Sequence, residues 1–174
     1  MKKTTILTIL FLTILLTSCI EKNQNLNFAG EDKFSALELE KIPDNLVMND
    51  TTYVPIYSDI YNETKDTRFN LTATLSLRNT SLSHSIYITS IEYYNSSGKK
   101  IKEYLNKPIV LKAMQSVEYV IEENDTSGGT GANFVITWSA NNKDVAPIFE
   151  GIMISTNGQQ GISFTTKGVS ISRK

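Results

Sequence analysis

Arg68 to Asn79, RFNLTATLSLRN, is the stretch that most restricts how this chain can fold. Phe69, Leu71, Ala73, Leu75 and Leu77 alternate with Asn70, Thr72, Thr74, Ser76 and Arg78 without a break. Successive side chains of an extended strand point to opposite faces, so this run makes a strand with one apolar and one wet face. Wound into a helix, the same apolar residues would spread round the whole axis and leave no face to bury.

The pattern recurs from Thr51 onward. TTYVPIYSDIY and SIYITSIEYY are rich in β-branched and aromatic residues. Asn95-Ser96-Ser97-Gly98 is a tight-turn signal, and Lys99 to Leu105 returns as a hairpin partner. Ile109 to Lys112 is a short run after Pro108. Val117, Tyr119 and Ile121 form one alternating set, and Phe134, Ile136, Trp138 and Ala140 another. IFEGIMIST and GISFTT close the series. Short strands separated by turn signals predict an all-β fold, a single immunoglobulin-like antiparallel β-sandwich over residues 51–174. Trp138, the only tryptophan, is expected in the middle of the core.

The N-terminus sets the compartment. MKKTTILTILFLTILLTSC places Lys2 and Lys3 before an apolar stretch from Ile6 to Leu16, the layout of a secretory signal. That stretch is shorter than the roughly 20 apolar residues a membrane-spanning helix needs. Leu16-Thr17-Ser18-Cys19 resembles a bacterial lipobox, which implies transfer of a diacylglyceryl group, carrying acyl chains such as palmitate, to the Cys19 thiol and then cleavage just before that residue. Residues 1–18 are then the lipoprotein signal peptide, and residues 19–50 the lipidated cysteine and a flexible tether. Each buried methylene contributes about 0.8 kcal/mol, and two or more acyl chains anchor firmly where one does not. Within the tether, Glu31 to Lys41 could form a short helix carrying Phe34 and Leu37, stopped by Pro43.

Charge narrows the partners. The chain has 17 basic and 18 acidic residues in 174, so nothing in its balance points to nucleic acid. A single cysteine and a single histidine exclude an internal disulfide and a cysteine-rich zinc site. The glycine-rich stretch ENDTSGGTGANF does not fit a phosphate cradle: Gly131 is followed by Ala132-Asn133 and a strand, without the lysine, hydroxyl and helix a P-loop requires. Glu122, Glu123 and Asp125 offer oxygen ligands for calcium, yet stand adjacent rather than at alternate positions. The stretch reads best as a wide turn whose glycines permit positive φ and whose Asp125 and Thr126 bond to local backbone.

Other chemistry is thin. His84 lies in a turn, Leu82-Ser83-His84-Ser85, with no nucleophile–base pair assignable around it. Asn49, Asn62, Asn70, Asn79, Asn95 and Asn124 begin N-x-[ST] triplets, which in a bacterial lipoprotein reflect abundance of Asn and Thr. Tyr53 and Tyr57 share one face of a strand whose Pro55 suggests a sheet edge. Such an aromatic edge could stack on sugar rings or on another protein, unless a loop covers it.

The segments TYVPIYSDI, FNLTATLSLRNT, SIEYYNSSGKKIKEYL, ENDTSGGTGANFVITW and GQQGISF together resemble a bacterial family of uncharacterised secreted proteins and lipoproteins, catalogued as a domain of unknown function. The likeness runs from about Tyr53 to Phe164 and implies one small envelope domain, with no catalytic or ligand residues to carry over. The expectation is a membrane-anchored envelope protein without cofactor or enzymatic activity, binding or scaffolding another envelope protein or a glycan. The alternative is a ligand-binding module for calcium or carbohydrate, using the acidic glycine loop or the tyrosine edge.

Overall fold

The computed structural model describes residues 32–156 and 161–172. Its elements are one helical turn, α1 (Asp32–Ser35), and twelve strands: β1 (Met48–Pro55), β2 (Asp59–Asn62), β3 (Thr64–Asn70), β4 (Thr72–Arg78), β5 (Ile86–Tyr94), β6 (Lys100–Glu103), β7 (Ile109–Leu111), β8 (Ser116–Ile121), β9 (Asn133–Ala140), β10 (Ile148–Ser155), β11 (Ile162–Lys167) and β12 (Val169–Ser170). One sheet runs β12-β1-β9-β5-β6, with β7 also pairing β5; the other runs β11-β10-β4-β8. All pairings are antiparallel. The fold is an antiparallel β-sandwich, as the alternation requires.

The alternating residues face a single core. Ala73, Leu75 and Leu77 of β4, Val117, Tyr119 and Ile121 of β8, and Phe134, Ile136 and Trp138 of β9 are buried in one cluster. Burial of each large aliphatic side chain contributes roughly 1.5–3 kcal/mol. Of the positions expected to be wet on β4, Thr72 and Thr74 are half-buried and Arg78 is exposed, but Ser76 is buried, its Oγ accepting from Arg78 Nε at 3.0 Å. The rings of Trp138 and Phe149, from opposite sheets, meet nearly edge-on at 6.0 Å between centroids and 82°.

The run Arg68–Asn79 is not one strand. It divides at Leu71, whose N–H donates to Ser58 O at 2.9 Å. Before that point β3 pairs only with β2, forming a separate hairpin; after it β4 joins β10 and β8. The alternation persists through the break because Leu71 remains buried in the core while its backbone changes partner. The two-residue β12 carries too little pattern to be read from sequence; it exists because β1 offers Thr52 and Tyr53 as partners.

Within the stretch expected as a flexible tether, residues 19–50, the described residues from Phe34 to Leu39 pack against the sandwich. The cause is local. Phe34 stacks flat on Tyr119, with centroids 4.6 Å apart and planes 7° from parallel. Leu37 packs on the core, and the backbone of Leu37–Leu39 completes the free side of β7: Val110 N donates to Leu37 O at 2.9 Å, and Leu39 N to Pro108 O at 2.8 Å. The expected helix over Glu31–Lys41 is therefore only the four residues of α1, since the residues beyond it are drawn into this pairing.

Parity along β4 makes a direct test. Leu75→Ala leaves a cavity between the sheets and should destabilise the fold by about 3 kcal/mol, while Thr74→Ala on the wet face should stay within about 0.5 kcal/mol. Urea denaturation of both variants gives the comparison; equal effects would contradict the layered arrangement.

Candidate functional site

The glycine stretch joins β8 to β9 and is a clamped turn. Gly129 takes a positive φ of 74°. Its N–H donates to Ser58 Oγ at 2.7 Å, and Ser58 N donates back to Gly129 O at 3.3 Å. Ser96, from the β5–β6 turn, donates through Oγ to Gly128 O at 3.0 Å and accepts from Gly131 N at 2.8 Å. Two serines from two other loops thus hold the backbone that a phosphate would have needed. Gly128 lies against Tyr93, where an added Cβ would fall 1.8 Å from the phenolic oxygen.

The three acids of this loop do not converge. Asp125 Oδ1 accepts from Ser127 N at 3.0 Å, closing an Asx turn, and Asp125 N donates to Glu122 O at 2.9 Å. Glu122 and Asp125 are exposed and Glu123 half-buried. Among the described residues no group of three or more His, Cys, Asp or Glu side chains could share a metal ion. Of the two expected edge tyrosines, both are half-buried; Tyr57 meets Phe164 edge-on at 5.7 Å. β1, which carries Tyr53 and Pro55, has β9 along one side and β12 on the other only at Thr52 and Tyr53. His84 is half-buried, with Nε2 3.1 Å from Asn142 Nδ2. Cys19 lies outside the described residues.

A second feature is a chain of aromatic rings under the glycine turn: Phe34, Tyr119, Tyr104, Phe134 and Tyr93, each in ring contact with the next. The hydroxyls of Tyr93 and Tyr119 are buried without a hydrogen bond. Burial pushes the Tyr93 phenol up; the nearby Ser58 and Ser127 side chains act against the rise without making a bond of good geometry. Burial, then Tyr93 and Asp125, pushes Tyr104 up to about 12. Tyr119 is raised by burial and by Glu38.

The third feature is a cleft of about 350 Å³, walled by both sheets. Met48, Asp50 and Thr52 of β1 line one side, with Trp138 beneath; Lys143 of the β9–β10 connection and Lys167 at the end of β11 line it as well. Trp138 Nε1 donates to Thr52 Oγ1 at 3.0 Å, fixing the floor. Gly168 closes the base as the chain crosses from β11 to β12: its N–H donates to Phe149 O at 2.8 Å, and a Cβ would come within 2.8 Å of both that oxygen and Thr52 Cγ2. Asp50 is the residue that sequence reasoning missed. Its signal was present: it stands in the same row as Thr52, Val54 and Ile56, all buried, but the strand was expected to start one residue later, at Thr51.

The chain belongs to the family described as "Protein of unknown function (DUF3124)", whose model matches residues 49–171. No curated protein matches it. A solved structure described as "Crystal Structure of Thermotoga maritima 1070" is similar at 12% identity with a TM-score of 0.39, over 69% of this chain and 92% of that one, a likeness too low to carry an argument. Among the described residues no helix is long and apolar enough to cross a membrane.

Gly128→Ala should destabilise the fold by about 2 kcal/mol or more, because Tyr93 cannot retreat from the core without opening a void. Tyr93→Phe alone, which removes a buried hydroxyl without a partner, should be neutral or slightly stabilising and should soften the Gly128→Ala effect. Denaturant midpoints of the two single variants and the double variant measure this; a harmless Gly128→Ala would overturn the clamped-turn account.

The raised phenols predict an alkaline limit. A tyrosine whose folded pKa exceeds the value of about 10 in the unfolded chain binds more protons folded than unfolded above that pH. Its stabilising contribution is present below pH about 10 and is lost as pH rises through the folded value, about 12 for Tyr104. In a tyrosinate absorbance titration, Tyr93, Tyr104 and Tyr119 should ionise late and together with unfolding. Uniform titration of all eight tyrosines near pH 10 would refute it.

Proposed function

We propose that this chain is a lipid-anchored protein of the bacterial cell envelope, its β-sandwich serving as a non-enzymatic binding or scaffolding module. The observation that carries this reading is Leu16-Thr17-Ser18-Cys19 behind Lys2, Lys3 and the apolar run Ile6–Leu16. Charge, apolar length and tetrapeptide fall in the order that a lipoprotein signal requires. Cys19 is the only cysteine, so no disulfide competes for its thiol. The acyl chains would hold the protein at a membrane face, periplasmic or extracellular, with no spanning helix.

The site chemistry supports binding over catalysis. The turn rich in glycine has its backbone donors occupied by Ser58 and Ser96. The His84 ring nitrogen faces an amide, Asn142 Nδ2, where a catalytic pair would set it against a nucleophile. The half-buried cleft over Trp138 combines apolar walls with charges of both signs, which suits recognition of a small molecule or a short segment.

Mass spectrometry of the mature protein should find Cys19 as the first residue, carrying a diacylglyceryl group, and Cys19→Ser should move the protein from the membrane fraction to the soluble one. An intact leader or an unmodified thiol on the mature chain would end the anchoring proposal.

A further inference from the structure

We propose that the cleft over Trp138 binds a small zwitterion: a free amino acid or dipeptide with apolar side chains. This deepens the binding-module reading and rests on it. Asp50 is the group that would hold the ammonium. It occupies the inward-facing row of β1, where its neighbours Thr52, Val54 and Ile56 are buried. Its Oδ1 accepts from Thr51 N at 2.7 Å, from Ser170 Oγ at 2.7 Å and from Ser172 Oγ. These three donors fix the carboxylate, and among the described residues Oδ2 has no hydrogen-bond partner. A half-buried, oriented carboxylate oxygen with spare acceptor capacity favours a cationic donor.

The opposite charge is in the same cleft. Lys143 and Lys167 line it, and neither makes an ion pair among the described residues. With Asp144 also at the rim, the lining holds two acids and two bases. A ligand of one sign would meet repulsion from half of them; a ligand carrying both signs satisfies both. Phosphorylated ligands are disfavoured by Asp50 and Asp144, and simple cations by the lysines. Between the charges the walls are apolar, with Met48, Ile148 and Phe149. The cleft volume of about 350 Å³ is at the small end of ligand sites and suits one or two amino-acid units. Thr52 spends an acceptor lone pair on Trp138 Nε1, which leaves its hydroxyl proton for a ligand carboxylate or carbonyl.

The test is calorimetry of the full chain in detergent with L-leucyl-L-leucine, and with the same dipeptide blocked at both termini. The free dipeptide should bind saturably, and blocking both charges should weaken binding by at least about tenfold, a difference of about 1.4 kcal/mol. Asp50→Asn, which keeps an acceptor for Ser170 and Ser172, and the exposed double change Lys143→Gln with Lys167→Gln should each weaken it by about tenfold, with the melting temperature of the lysine variant unchanged. No saturable binding by the folded wild-type chain would overturn the proposal. So would equal binding of the blocked peptide, or undiminished binding by the lysine variant. Crosslinking in the native envelope separates this from the broader reading: a protein partner captured elsewhere on the domain, with no dipeptide binding, removes the cleft proposal and leaves the binding module standing.

Discussion

Trp138 joins what the two sheets need from each other. Its indole N–H donates to Thr52 on the adjacent strand, while its ring meets Phe149 across the interior. Both sheets have one apolar face, and neither could leave that face in water; stacking them removes both surfaces at once. An indole in such a layer must satisfy its donor, since a buried N–H without a partner costs about 1–3 kcal/mol. Thr52 supplies that partner, and the requirement in turn fixes the register of β1 against β9, with Thr52 opposite Ile136. The cleft floor, the approach of Gly168 and the placement of Asp50 all follow from that register.

The open sides of the sandwich are closed by loops rather than by further strands. At one side the segment Leu37–Leu39 lies along β7, and Phe34 covers Tyr119. Elsewhere Ser58 and Ser96 clamp the glycine turn over Tyr93. Asn79 makes a third closure: buried, it donates through Nδ2 to the carbonyls of His84, Leu111 and Lys112 at 2.7–3.0 Å. Each closure gives buried backbone groups a partner at a place where strand pairing ends, which is the condition for loops to approach a dry core.

Function, in this reading, occupies what these closures leave open. A tightly tied body leaves the surface and the two-sided cleft for recognition chemistry. Asp50 contributes twice there. It ties β12 to β1 through Ser170 and Ser172, and it presents a carboxylate edge beside two lysines. The same hydrogen bonds that stabilise the C-terminal strand therefore preorganise the cleft.

The alternation of apolar residues was enough to determine strands β4, β8 and β9, their buried faces, and the sandwich that unites them, because period two leaves a chain no other way to hide one face; β5 was legible as a strand, but its bulge between Ile88 and Ser90, which shifts the buried parity, was not. The turn at Asn95–Gly98 and the exclusion of a P-loop were equally legible, being local chemistry. The division at Leu71, the capture of Leu37–Leu39 by β7 and the strand β12 were decided only in three dimensions. Each depends on which distant backbone offers a free donor or acceptor, and no stretch of sequence records that. The candidate site divides the same way: the acids of the glycine loop are conspicuous in sequence but do not converge, whereas Asp50, Lys143 and Lys167 are unremarkable in sequence and share a cleft because the start of β1, the β9–β10 connection and the end of β11 meet there.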